Sequence, residues 1–562
     1  MSTPETSKSV NSSQHPVKTA SIASLGCPKN LVDSETMVGR LRAAGYVMTT
    51  DAETVDLFLI NTCGFLRSAR QEAEEYIKEA LEQKAVGAIG KLVVSGCAVV
   101  SDGAELAKLY PGVDAWIGPN DEARIVEILE SLTPSETPNA IEPRTSQSVE
   151  TPLPTLDMLT PAQAELARAE ERQGIVAASN ARIFSSSFRS LTLDDAKRSP
   201  LTAPHVAYLK IADGCDRFCS YCAIPNIRGR YVSKPYETVL DEAQRLADSG
   251  VRELVLIAQE TTFWGADLYG KPDLSRLLGA LKDRNIFDWI RVLYTYPLFW
   301  DDDLVSLFKH EEQGTTSILP YVDLPLQHCN SELLKGMNRR VDKAQTEELL
   351  ARLREEIPGV VLRTSFIVGF PGETDEMFQE LLEFVEKQRF ERAGVFEFSP
   401  EPGTPAYAMP EQVEATTKKR RFERLYARQE RISRQFARGQ VGKTLDVLLD
   451  AFATDESGSQ MANVCLGRTA ADAPDVDPVV YVTGRNLVPG EIINCEIVEA
   501  SGLDLVAVPS DPDRIYVPKS ERLEAHRRED AKKQKEAKRE KNRANRAKKR
   551  HNREQKRREN ND

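Results

Sequence analysis

The sequence has no run approaching the roughly 20 apolar residues that a membrane-spanning helix needs, so a helical membrane protein is excluded. Its first residues, MSTPETSKSVNSSQ, carry no apolar core segment, so no secretory signal peptide is expected and the expected location is the cytoplasm. Cysteine is sparse, nine in 562 residues. Because the cytosol keeps thiols reduced, a disulfide framework is excluded, and metal or redox chemistry becomes their leading use. The body of the chain also lacks net positive charge. Residues 519–562 hold 19 Lys and Arg against 9 Asp and Glu, a net of +10, so a total of −12 leaves −22 for the remainder. That sign is wrong for a protein that grips nucleic acid with its main surface.

The length suits about three or four domains. Residues 1–18 read as a disordered N-terminus. Over 19–130, the short apolar runs SIASL, DLFLIN and KLVVSG alternate with helical patterns such as Arg67–Gln83, which predicts an open parallel α/β sheet. Residues 131–203 are rich in Pro, Ser and Thr and read as a linker with one short helix around Ala162–Glu171. From 204 to 437, HVAYLKIA, ELVLIAQ, WIRVLYTY, YVDLPLQ, VVLRTSFIVG and AGVFEFS alternate with amphipathic segments such as Tyr236–Ser249 and Asp375–Lys387. Six such βα units predict a partial (β/α)6 barrel, whose site lies at the C-terminal strand ends. Over 438–510, TLDVLLDAF, VVYVTGRN, EIINCEIVEA and DLVAVP predict a small β-barrel of the oligonucleotide-binding type. Residues 511–562 form a basic tail, disordered or helical, with no apolar stripe to pack.

The chemistry sits in the cysteines. In ADGCDRFCSYCAIP, Cys215, Cys219 and Cys222 follow the first barrel strand. Three thiolates in one loop can hold an iron–sulfur cluster with one iron left open. A zinc site more often shows paired CxxC knuckles, and incidental thiols are the third reading. Cys27, Cys63 and Cys97 lie 36 and 34 residues apart, each just past a predicted strand. They therefore share one edge of one sheet, the edge where open parallel sheets bind ligands. The bland reading is three buried core thiols.

The loop resembles the CxxxCxΦC signature of the radical S-adenosylmethionine superfamily, with Tyr221 as its aromatic residue. The resemblance implies that Cys215, Cys219 and Cys222 bind a 4Fe–4S cluster whose open iron is chelated by S-adenosylmethionine, the source of a 5′-deoxyadenosyl radical. It implies contacts to the methionine amino group from AQET, at Gln259 and Glu260. It also implies an approach to the adenosine at Gly369 and Gly372 of FIVGFPGET, a segment that alone reads as an ordinary turn. SLGCPKNLVDSE and NTCGF further resemble the methylthiotransferases, a family within that superfamily, in its domain order over residues 19–130 and 204–508. This implies that Cys27, Cys63 and Cys97 bind a second 4Fe–4S cluster bearing the sulfur to be inserted, and that the β-barrel is TRAM-like.

Two branches of that family compete, one modifying adenosine in tRNA and one modifying the β-carbon of an aspartate in the twelfth small-subunit ribosomal protein. Pro28-Lys29 after Cys27 and PLQHCNSELLKGMNRR resemble the second. The charge agrees: Gly442–Pro509 carries 11 Asp and Glu against 3 Lys and Arg, which repels a tRNA backbone and attracts a basic ribosomal protein. A merely solvated acidic face is the plainer reading. Direct nucleic-acid binding by this barrel is not expected, and an external electron donor is. SGCAVVSDG departs from the family pattern after Cys97. Cys329 reads as pocket filler rather than a ligand, and His328 as a structural hydrogen-bonding residue. A zinc-stabilised RNA-binding module is the rival from another class, but it accounts for neither the six βα units nor the second cysteine trio.

Overall fold

The computed structural model describes residues 18–50, 53–132, 182–185, 198–309, 317–455 and 457–515. The helix expected at Ala162–Glu171 and nearly all of the basic tail lie outside the described residues. Two compact units emerge: residues 1–439 with 470–477, and 440–469 with 478–562.

The larger unit begins with a parallel sheet built from the apolar runs. Thr19–Ser24, Val55–Thr62, Ile89–Gly96 and Ala115–Ile117 are its central strands, and Val47–Met48 and Ile183–Phe184 its edges. The helix Arg67–Ala85 buries Ala73, Ile77 and Ala80 against it, one face at helical spacing. Val47–Met48 lies outside Thr19–Ser24 while Val55–Thr62 lies on its other side. The strand order therefore reverses between Thr19–Ser24 and Val55–Thr62, opening a crevice at their C-terminal ends. Ile183–Phe184 falls inside the stretch read as linker; two residues are too short to leave an alternation signal in sequence.

The second sheet of this unit holds six parallel strands in chain order, Val206–Lys210, Glu253–Ile257, Trp289–Val292, Ile318–Asp323, Val361–Val368 and Arg392–Glu397. Its first and last strands do not pair, so the barrel is partial, as the sequence predicts. A continuous apolar core of Leu, Ile, Val and Phe side chains lies between these strands and helices such as Tyr236–Asp248 and Asp375–Gln388. The helix Ala415–Arg438 packs against the edge strand Arg392–Glu397 and covers it.

The smaller unit is a closed five-stranded barrel of Thr444–Thr454, Gln460–Arg468, Val480–Thr483, Ile492–Ser501 and Asp504–Pro509. Val480–Thr483 pairs in parallel with Asp504–Pro509 and the other neighbours are antiparallel, an oligonucleotide-binding-like arrangement. Gln460–Arg468 is the strand the sequence reading did not find. It contains Gly467, which reads as a turn residue, yet an added β-carbon there would lie 2.6 Å from the Leu448 carbonyl of the neighbouring strand.

Candidate functional site

Each cysteine of the first sheet stands where a strand gives way to the next element. Cys27 is the N-cap of the helix Pro28–Ala43, and Cys97 is the first residue of the helix Cys97–Leu109. Both cysteines thus stand at the N-terminal end of a helix. The three loops interlock. An added β-carbon on Gly26 would lie 2.6 Å from the Cys63 β-carbon, and one on Gly64 would lie 2.7 Å from the Cys97 carbonyl carbon. Asn30 ties them together, its Nδ2 donating to the carbonyls of Thr62 at 2.8 Å and Leu25 at 3.2 Å. Asn61 Nδ2 donates to the Asn30 carbonyl at 2.8 Å.

Gly96 sets the turn into Cys97 with φ +101, and an added β-carbon would lie 2.3 Å from Asn61 Oδ1 and 2.4 Å from the Thr62 carbonyl oxygen. Gly96→Ala is expected to destabilise the larger unit by about 1–3 kcal/mol, the usual range for a side chain forced into such backbone. A lower urea midpoint by circular dichroism checks this, and an unchanged midpoint would contradict it.

Cys215, Cys219 and Cys222 lie in the loop between the short strand Ala212–Asp213 and the helix Ile224–Arg228. The loop is pinned from outside. Ser220 N–H donates to the Met337 carbonyl at 3.0 Å, and Asn338 Nδ2 donates to the Phe218 carbonyl at 2.7 Å. Tyr221 packs on a cluster of Leu333, Met337, Phe370 and Phe398, and its hydroxyl accepts from Arg339 at 3.3 Å. Buried Arg339 also lies over the Tyr296 ring.

The two trios meet. Cys97 packs with Ala223 and Ile227, the first of which follows Cys222 directly. Buried Arg228 donates from Nε to Cys97 Sγ at 3.3 Å, and from its other nitrogens to Asn30 Oδ1, to Asp33 Oδ2 at 2.5 Å and to Asp213 Oδ2 at 3.3 Å. Lys210 pairs with both of those carboxylates. Burial works against the Arg228 charge, but Asp33, Cys97, Asp213 and Glu122 together raise its pKa above the ordinary arginine value.

The other expected contacts fall in distinct places. Gln259 Nε2 donates to Asp213 Oδ1 at 2.6 Å, while its Oε1 is buried without a donor. Glu260 is held by both ends of Arg217, whose guanidinium lies among the rings of Phe263, Tyr296 and Phe299. Gly369 N–H donates to Glu373, and an added β-carbon there would lie 2.3 Å from Lys418 Cγ. Gly372 N–H donates to the Glu411 carbonyl at 3.0 Å. Side chains of this chain therefore stand against the segment where the adenosine approach was expected. His328 Nδ1 accepts from Asn330 N–H at 3.0 Å, and fully buried Cys329 belongs to the barrel core.

The donor sets fit iron–sulfur clusters. Burial pushes Cys97 and Cys222 up to about 12 and raises Cys63 and Cys215 as well. Such thiols become thiolates when cationic iron replaces their protons. Among the described residues no group of three or more His, Cys, Asp or Glu side chains is placed to hold a metal ion. The orphaned Gln259 Oε1, beside the loop of Cys215, is an acceptor suited to an ammonium group such as that of S-adenosylmethionine.

Several residues of this site carry no cysteine-like signal: Asn30, Asp33, Arg228 and Arg339. Asn30, Asp33 and Arg339 lie inside the motifs and Arg228 three residues past one, and only the fold shows that each is buried and what it touches.

A partial parallel barrel with CxxxCxxC on its first strand-end loop defines the class: a radical S-adenosylmethionine enzyme. A radical SAM superfamily model matches residues 209–385, the uncharacterized protein family UPF0004 matches 19–118, and a TRAM domain matches 441–509. A ribosomal protein uS12 methylthiotransferase RimO of Anaeromyxobacter sp. is 39% identical over 496 residues, covering 88% of this chain and 94% of that protein. The protein of that name from Geobacter sulfurreducens is 39% identical over 487 residues, covering 86% and 97%. The chain belongs to the ribosomal protein uS12 methylthiotransferase family. A solved radical S-adenosylmethionine methyltransferase, TsrM from Kitasatospora setae, aligns at a TM-score of 0.45 and 16% identity, over 69% of this chain and 77% of that one. No helix among the described residues is long and apolar enough to cross a membrane.

Proposed function

We propose that this chain transfers a methylthio group to the β-carbon of an aspartate in ribosomal protein uS12, using two cysteine trios as two separate cluster sites. The observation that carries the reading is the junction of the trios, where Cys97 packs against Ala223 and accepts a hydrogen bond from Arg228. In this reading Cys215, Cys219 and Cys222 hold the cluster that binds S-adenosylmethionine, and Cys27, Cys63 and Cys97 hold the one that delivers sulfur. Held there, one cluster with its S-adenosylmethionine and a second carrying sulfur would supply what no side chain can, a radical able to take hydrogen from an unactivated carbon and a sulfur to replace it.

The residues of the chain orient and insulate. Gln259 Oε1 is suited to accept from the cosubstrate ammonium group. Arg339 and Tyr221 brace the first loop, Asn30 and Asn61 the second. Arg228, Asp33, Asp213 and Lys210 fix the two halves of the site against each other with a desolvated charge network.

Support for a basic protein substrate from the barrel's charge is smaller than the sequence count suggests. Three of the eleven acidic side chains, Asp472, Asp475 and Asp477, belong to a segment of the larger unit. There Asp472 pairs with Arg392, Asp475 accepts from Tyr208 and Asp477 accepts from Tyr321. The other eight remain with the barrel, and a basic ribosomal protein stays the proposed partner. The source organism, with and without the gene, tests the substrate by intact mass of uS12. The reading expects a methylthio group on uS12 only when the gene is present. An unchanged uS12 with loss of methylthio adenosine from tRNA would reverse the choice of branch.

A further inference from the structure

Lys29 is a motif residue that the two-cluster reading leaves without work. It sits in the first turn of the helix Pro28–Ala43, two positions after Cys27, and is 7% exposed. Its ammonium reaches the barrel mouth, where Nζ stands 3.0 Å from the centroid of the Tyr294 ring. Tyr294 lies just past the strand Trp289–Val292 and is only partly buried. The backbone of Tyr294 is held on both sides: its N–H donates to Asp323 Oδ2 at 2.8 Å, and its carbonyl accepts from Thr261 N–H at 2.9 Å.

Among the described residues, Lys29 has no hydrogen bond and no ion pair. The carboxylates that act on it through space are Asp323 and Asp213, and each has partners of its own. Asp323 takes Arg363 at 2.8 Å as well as Tyr294 N–H. Asp213 takes Lys210, Arg228, Gln259 and its neighbour Gly214 N–H. An ammonium over an aromatic face with no hydrogen-bonded anion is an incomplete arrangement, since charges drawn out of water are ordinarily paired and hydrogen-bonded.

We infer that Lys29 is the specificity residue for the substrate aspartate, its ammonium receiving the side-chain carboxylate above the Tyr294 ring. This deepens the proposed function and rests on it. The consequence for the chemistry is geometric. The β-carbon is one bond from the carboxylate carbon, so gripping the carboxylate places the β-carbon next to the Cys27 loop, on the sulfur-delivering side. A neutral side chain in the same place offers no matching anion and leaves the charge unpaired.

The test uses the anaerobically reconstituted full chain and two synthetic peptides, the uS12 segment bearing the target aspartate and the same segment with Asp→Asn. Binding is read by fluorescence anisotropy and turnover by mass spectrometry. The unaltered chain is expected to prefer the aspartate peptide by about 10- to 100-fold, the range of a hydrogen bond to a charged group. Lys29→Met is expected to bring that preference close to unity with its iron content retained, and Lys29→Arg to keep part of it. Without substrate, Lys29→Met should melt no lower than the unaltered chain, whereas a purely structural cation–π role would lower its midpoint. If Lys29 instead held the carboxylate of S-adenosylmethionine, Lys29→Met would weaken binding of that cosubstrate and preserve the peptide preference, which overturns the inference. Should Lys29→Met fail to fold, an unchanged preference in a well-folded Lys29→Gln would overturn it equally. If the unaltered chain modifies neither peptide and leaves full-length uS12 unmodified too, the fault lies with the proposed function and not with Lys29.

Discussion

Cys97→Ala protein, reconstituted anaerobically, is expected to hold about four iron atoms per chain where the unaltered chain holds about eight, one 4Fe–4S complement fewer. Cys222→Ala is expected to show the same drop by loss of the other cluster, and the double variant to fall further than either. Methylthio transfer should vanish in both, since each cluster is asked for a different half of the reaction. Cys97 is buried where its helix begins, and alanine fits that position without strain, so the loss reports ligation rather than unfolding. The check is iron and sulfide analysis alongside the circular dichroism spectrum. Unchanged iron in Cys97→Ala would return the three thiols of the first sheet to the plain reading of core packing.

Arg228→Met is expected to destabilise the larger unit by about 3–5 kcal/mol, the range for breaking a buried ion pair from one side. The guanidinium meets Asp33, Asp213, Asn30 and Cys97 at once, and its loss leaves two desolvated carboxylates sharing the Lys210 ion pairs. Arg228→Lys should recover part of the loss but not all, because a point charge cannot serve four partners in a plane as a guanidinium does. Urea unfolding of the apoprotein measures this directly. A shift in Arg228→Met within about 0.5 kcal/mol, the range of an ordinary surface change, would contradict the network as described.

Much of this was legible in the sequence because period and phase survive without coordinates. The runs SIASL, DLFLIN and KLVVSG became strands. Since each cysteine stands within three residues of the end of its strand, the shared sheet edge could be read from spacing alone. What the sequence could not show depends on partners far along the chain. Arg228 and Cys97 are 131 residues apart, and nothing local in AIPNIRG announces that its arginine will meet another motif. The same limit explains the acidic count of the barrel: Asp472 and Asp477 read as surface charge until Arg392 and Tyr321 come into view. Glu260 stood in the expected loop, but its carboxylate is taken by Arg217, and the fold leaves Gln259 with the free acceptor. In Gln460–Arg468 the glycine resembles a turn residue until its close-approaching neighbour strand is known.

The central claim is that this chain replaces a β-hydrogen of one uS12 aspartate with a methylthio group. It is tested most directly with a uS12 peptide carrying deuterium at that β-carbon, incubated with the anaerobically reconstituted chain, S-adenosylmethionine and a strong reductant. The account predicts deuterium in the 5′-deoxyadenosine released and a methylthio group on that aspartate in the peptide fragment spectrum. An unmodified peptide with deuterium-free 5′-deoxyadenosine, from protein whose iron content is complete, would contradict it.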